Sequence, residues 1–224
     1  MEIQELFNKT FTQFPLSVQF TPHDTSPALL YVTASAYSKT PNQLIGINVA
    51  LDDKPLGSLM IFANEASSHK ALVTMLFEVE FQDQNPHKLT FTAATPSTVC
   101  DLNDAVAASL LMISGVAPFV WSTQGPIPAY TTFQPQLSGP ALLFMSGSVS
   151  QQGGGPMGVD VVINGQPAAS STFFGSTSSH QAFPARFTQV MLKYSKDPVP
   201  IGFSTSNGDM SSDANDFYQL ALIF

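Results

Sequence analysis

Apolar and polar residues alternate with period two over much of this chain. Ile47, Val49 and Leu51 alternate with Asn48 and Ala50, and Val159, Val161 and Ile163 repeat the pattern further on. Phe77, Val79 and Phe81 alternate with Glu78 and Glu80; Val190, Leu192 and Tyr194 alternate with Met191 and Lys193. That period predicts strands with one buried face. Asn164-Gly165 supplies the left-handed residues of a tight hairpin turn, whereas Asp52-Asp53 at the matching place predicts a turn of another type. Two segments read less simply. Ile3, Leu6, Phe7, Phe11 and Phe14 keep helical spacing, so an N-terminal helix is expected, in competition with a β-arm. "DLNDAVAASLLMI" (101–113) starts like a capped helix, but "DANDFYQLALIF" (213–224) alternates Tyr218, Leu220, Leu222 and Phe224 as a strand does.

The second ambiguity is settled by repetition. "PALLYVTASAY" (27–37) is answered by "PALLFMSGSVS" (140–150), and "GINVALDDKP" (46–55) by "GVDVVINGQP" (158–167). Thr12-Gln13-Phe14-Pro15 answers Thr123-Gln124-Gly125-Pro126, and Phe20, Phe62 and Phe91 answer Phe133, Phe174 and Phe203. Ser67-Ser68-His69 answers Ser178-Ser179-His180, and "DLND" (101–104) answers "DAND" (213–216). The shared order implies tandem duplication of a unit far longer than a solenoid repeat. Both copies then share one fold, so 101–113 is a strand. Two domains are expected, 1–115 with an N-terminal arm and 116–224, the latter opening on a Pro- and Gly-rich linker, "SGVAPFVWSTQGPIPAYTTFQPQLSGP". Short strands broken by Ser, Gly, Pro and Asn predict an all-β protein of two antiparallel sandwiches.

The hairpin "VDVVINGQPAASSTFF" and the closing "NDFYQLALIF" resemble the jelly rolls of the tumour-necrosis-factor and C1q-like kind, which include small bacterial lectins. That resemblance implies a homo-oligomer; a glycan or cell-surface ligand is expected from the duplicated sandwich, its hydroxyl- and amide-rich loops and the repeated D-x-N-D. An immunoglobulin-like sandwich is the alternative.

Composition narrows the partners. The 224 residues carry a net charge of −8 from only 8 basic side chains, which makes nucleic acid and anionic lipid poor partners. Residues 1–113 hold eleven acids and five bases, the remainder five and three. One cysteine, Cys100, leaves no internal disulfide. The N-terminus lacks the pattern of a secretory signal and no stretch is long and apolar enough to span a bilayer. Cytoplasmic synthesis is expected, with release by a non-classical route left open.

Candidate chemistry centres on the repeated D-x-N-D: Asp101, Asn103 and Asp104, then Asp213, Asn215 and Asp216, with Asn207 and Asp209 just before. Such oxygens suit Ca²⁺ or sugar hydroxyls, and no other cofactor is expected. The simpler reading is that Asp and Asn form turns by bonding their own backbone. Trp121 and Tyr130 are candidate ligand-stacking residues in the linker, with Trp121 alternatively a packing residue. Neighbouring Ser68 and His69 point to opposite faces of an extended chain, so no nucleophile and base are expected there. His23, His69, His87 and His180 have no sequence neighbour at metal-ligand spacing, so no metal site is expected. Gly153-Gly154-Gly155 lacks the context of a phosphate loop, and the Asn8-Lys9-Thr10 sequon carries little weight without a secretion signal. A non-enzymatic, lectin-like protein is expected. A capsid, fibre or inclusion component and a toxin-like oligomer that docks on cells are the alternatives.

Overall fold

A computed structural model describes residues 2–113, 115–150, 155–175, 178–206 and 210–224. The chain divides into two compact units, Met1–Gly115 and Val116–Phe224. The first holds β1 (Glu2–Thr10), β2 (Leu16–Phe20), β3 (Ala28–Ala36), β4 (Gln43–Leu51), β5 (Lys54–Ala63), β6 (Lys70–Ala71), β7 (Met75–Val79), β8 (His87–Ala93) and β9 (Ala105–Met112). The second holds β10 (Phe119–Gln124), β11 (Ala129–Phe133), β12 (Gly139–Val149), β13 (Gly155–Ile163), β14 (Gln166–Gly175), β15 (Gln181–Leu192), β16 (Val199–Thr205) and β17 (Phe217–Ile223).

Each unit has two antiparallel sheets. In the first they run β1-β9-β3, with β6 and β7 on the other edge of β3, and β2-β8-β4-β5. In the second they run β10-β17-β12-β15 and β11-β16-β13-β14. With β6 and β7 taken as two parts of one strand, both units follow the orders 1-8-3-6 and 2-7-4-5, the wrapping of a jelly roll. The break has a local cause. Leu72 still donates to Ala34 of β3 (2.9 Å), but Val73 donates to Met60 of β5 (3.2 Å), so the chain steps toward the other sheet there. Both side chains are buried. In the second unit the corresponding β15 runs on through a register shift opposite Met145 and Gly147.

The buried alternation matches residue for residue. Leu30, Val32, Ile47, Val49, Leu89, Phe91 and Leu110 answer Leu143, Met145, Val159, Val161, Ile201, Phe203 and Leu222, and none of the fourteen is more than 1% exposed. Each such side chain contributes about 1.5–3 kcal/mol relative to leaving it in water, so these positions carry the fold.

Four expectations are corrected. The N-terminal segment is β1, not a helix. It pairs with β9 and shifts register between Glu5 and Phe7, and that irregularity reproduces helical spacing in an extended chain. The supposed linker contains β10 and β11, so Trp121 and Tyr130 are strand residues of the second unit. Its prolines and glycines sit largely in the tight connections around these short strands, where no ladder hydrogen bond is lost. The repeat register there is also different. Phe11 donates to the Asp104 carbonyl and Gly125 to that of Asp216, so Phe11 answers Gly125, and Thr12 does not answer Thr123. Finally, Asp52 (φ 49°) and Asp53 (φ 65°) match Asn164 (φ 50°) and Gly165 (φ 77°), so both hairpins use the same left-handed turn. The segment 101–113 forms the strand β9 in the register of β17, as the repeat requires. Among the described residues no helix is long and apolar enough to cross a membrane.

Candidate functional site

The D-x-N-D segments close on themselves. Asp101 Oδ1 accepts the Asn103 N–H (2.8 Å) and its Nδ2–H (3.0 Å), while Asp104 Oδ2 accepts the Asp101 N–H (3.0 Å). In the second unit Asp213 Oδ1 accepts from Asn215 N (2.7 Å) and Asp216 Oδ2 from Asp213 N (2.9 Å). These are the backbone-bonding turns that Asp and Asn favour. The last Asp is a hub. Ser35 donates its hydroxyl to Asp104 Oδ1 (2.9 Å) and accepts the Ala105 N–H (3.1 Å); Ser148 does the same for Asp216 (3.0 Å) and Phe217 (3.1 Å). Asp104 and Asp216 are wholly enclosed.

Onto each hub comes a histidine from the repeated Ser-Ser-His. His69 Nδ1 lies 2.9 Å from Asp104 Oδ1 and its Nε2 3.6 Å from Asp101 Oδ2. His180 Nε2 lies 3.3 Å from Asp213 Oδ1 and 3.9 Å from Asp216 Oδ1. Two motifs that look separate in the sequence therefore form one cluster, twice. This corrects the expectation that no histidine meets a metal-ligating partner: His69 and Asp104 are 35 residues apart, and the fold supplies what spacing cannot. The available signal was the nearly equal separation of the two motifs, 32 residues from His69 to Asp101 and 33 from His180 to Asp213.

Surroundings differ between the clusters. His69 is a third exposed under the Tyr37 ring, at 4.6 Å, whereas His180 is buried. Burial pushes the Asp216 carboxyl up to about 6. Burial acts the same way on Asp213, but the Asn215 N–H and His180 outweigh it and hold that carboxyl below its ordinary value. Cys100, one residue before Asp101, is pushed up to about 11 by burial and by Asp104 and Asp101, which leaves it a thiol without nucleophilic character. Its counterpart Ser212 instead bonds the Tyr218 hydroxyl (2.7 Å) and accepts the Ile127 N–H (3.1 Å).

β15 starts beside His180 and ends at Leu192, where the second unit has a different feature. A groove of about 450 Å³ opens between the Ile163–Gln166 turn, the Met191–Ser195 segment and Phe133, Pro135 and Val199. A recess of about 380 Å³ continues it along Pro167, Ala168 and Gln189. Met191 and Tyr194 are exposed at its rim. At the same end of the first unit stands a charged set. His87 Nδ1 lies 2.6 Å from Asp52 Oδ2, Nε2 3.7 Å from Asp83, and Lys88 Nζ 2.8 Å from Asp53. Phe20 and Phe81 pack edge to face at 5.8 Å, with the Phe81 and His87 rings 4.9 Å apart.

Of the remaining candidates, Trp121 stacks on Phe203 at 6.2 Å against the core of the second unit, and Tyr130 is exposed on β11. Asn207 and Asp209 lie outside the described residues.

No protein-family model matches the chain, and no curated protein does. It is similar to the solved structure of PNGase F, a glycosylasparaginase from Flavobacterium meningosepticum, with 10% identity over 99% of this chain and 95% of that one and a TM-score of 0.45. It is similar to PNGF-II, with 9% identity over 99% of this chain and a TM-score of 0.43, and this chain spans only 65% of the length of PNGF-II. It is also similar to the major capsid protein P2 of Bacteriophage PM2, with 9% identity over 99% of this chain and 97% of that one and a TM-score of 0.30. The expectation that the chain is no enzyme is withdrawn on the finding of a glycosylasparaginase among these structures. It had rested on the lack of an acid, base and nucleophile at informative spacing in the sequence, a criterion that also overlooked the His-Asp-Asp clusters.

Proposed function

We propose that the chain binds carbohydrate in the groove at the Leu192 end of the second unit. The observation that carries this reading is an exposed Tyr194 and Met191 beside Asn164, Gln166 and Ser195 around one concavity. A sugar presents an apolar C–H face and a rim of hydroxyls, which such a mixture of ring, thioether, amide and hydroxyl complements. The resemblance to jelly rolls that include small bacterial lectins points the same way. The test is a glycan array followed by titration of the best ligand. Tyr194→Ala is expected to weaken binding about tenfold, near 1.4 kcal/mol. Asn164→Gly, which removes the amide but suits the left-handed turn, is expected to weaken it as well. Binding of no glycan, or unchanged affinity in both variants, overturns the reading.

A second reading is assembly of copies of this chain, favoured by the exposure of Phe174 (72%), Phe187 (40%) and Met191 (73%) on β14 and β15. Light scattering is expected to show an oligomer that dissociates in Phe174→Ser with Met191→Ser; a strict monomer rules it out.

A further inference from the structure

We infer that each unit carries a binding site for a divalent transition-metal ion, formed by His180, Asp213 and Asp216 in the second unit and by His69, Asp101 and Asp104 in the first. In each cluster one nitrogen and two carboxylate oxygens from the three residues lie within 4.8 Å of one another. Ligands bound at the usual Zn²⁺ distances around a tetrahedral centre stand about 3.4 Å apart. His180 Nε2 is 3.3 Å from Asp213 Oδ1 and 3.9 Å from Asp216 Oδ1, while His69 reaches Asp104 Oδ1 through Nδ1 (2.9 Å) and Asp101 Oδ2 through Nε2 (3.6 Å).

Three further observations support an ion. The innermost carboxylate of each cluster is oriented from behind, Asp216 by Ser148 and the Asp213 N–H, Asp104 by Ser35 and the Asp101 N–H. Ligating carboxylates are held in this way. Second, Asp104 and Asp216 are fully buried, yet among the described residues only a histidine stands within ion-pair distance of either cluster's acids. A buried carboxylate without a fixed cation is costly, and a dication removes that cost. Third, the copies have diverged around the cluster, with Tyr37, Cys100 and Val106 where the second unit has Ser150, Ser212 and Tyr218, but all three ligands are kept. The partly exposed Asp213 and Asp101 give solvent access. An imidazole among the donors selects Zn²⁺ or a neighbouring transition metal over the Ca²⁺ that the oxygens alone suggest.

The test is titration of the tag-free, EDTA-stripped chain with Zn²⁺ by calorimetry, with Co²⁺ absorption as a readout of ligand geometry. Two Zn²⁺ per chain are expected, falling to one in His180→Ala and to one in His69→Ala. Asp101→Asn, which keeps the Oδ1 turn bonds, is expected to lose the first site without disturbing a buried group. Ser148→Ala is expected to keep the stoichiometry and weaken the second site about 10–100-fold. Failure of the wild type to take up Zn²⁺ saturably, or a stoichiometry of two retained in the histidine variants, overturns the inference and leaves the clusters as hydrogen-bond networks only.

Discussion

At one end of the sandwich the two units are alike, and at the other they are not. Both keep the D-x-N-D turn, its Ser partner and a histidine around a buried carboxylate, which His69 meets through Nδ1 and His180 through Nε2. At the far end the first unit pairs His87 with Asp52 and Lys88 with Asp53, where the second has Val199 facing Asn164, and a groove. The comparison separates what the fold needs from what it tolerates. The hub bonds the start of the closing strand and its partner strand, so its loss would leave several buried groups unpaired. The far end is hairpin turn and strand termini, where substitution of exposed polar side chains leaves the core untouched.

The comparison breaks first at the core if it is superficial. Phe91→Ala and Phe203→Ala, at matching and fully buried positions, are each expected to cost about 3–5 kcal/mol in chemical denaturation. A loss near zero in one of them would show that the matched residues do not do matched work. The hub comes next. Asp104→Ala and Asp216→Ala strand a Ser hydroxyl and a backbone N–H, at about 1–3 kcal/mol for each group left unpaired.

Acidity distinguishes the clusters more finely. The Asp216 carboxyl is raised by burial from 3.8 to about 6, so between those values the folded chain holds a proton that the unfolded chain has released. The stability this confers is present below about pH 4 and is lost as pH rises through 6. In EDTA, the wild type is expected to lose stability relative to Asp216→Asn over that window. The loss is of order 1–3 kcal/mol, since a tenfold change in proton affinity is about 1.4 kcal/mol. Melting curves at stepped pH measure it, and no difference between the two proteins would contradict it. The smallest effect is at the turns. Asp53 occupies a left-handed position where the second unit has Gly165, and its ion pair with Lys88 is exposed and contributes little. Asp53→Gly is therefore expected to stabilise by up to about 1 kcal/mol, and a destabilised variant would deny the shared turn geometry.

The sandwich was legible because period two survives in both copies, and because the plainly alternating 213–224 decided the ambiguous 101–113. β1 was hidden by its register shift, which placed Leu6 and Phe7 as a helix would. β10 and β11 were hidden by the prolines and glycines packed around them. For the clusters the sequence held every residue but not their meeting, since His180 and Asp213 are 33 positions apart and only the two-sheet wrapping joins them. The groove left a trace in the charges missing from 164 and 199, visible once the hairpins and β8 and β16 are put in register. What removed the charges also removed the usual cues for a site.

The divergence of the two far ends is tested most directly by backbone amide NMR of the intact chain titrated with its best array glycan. Shifts confined to Asn164, Gln166 and Met191–Ser195, with the Asp52, Asp53 and His87 amides unmoved, are the expected result. Shifts centred on the first unit's charged end, or spread equally over both, would contradict it.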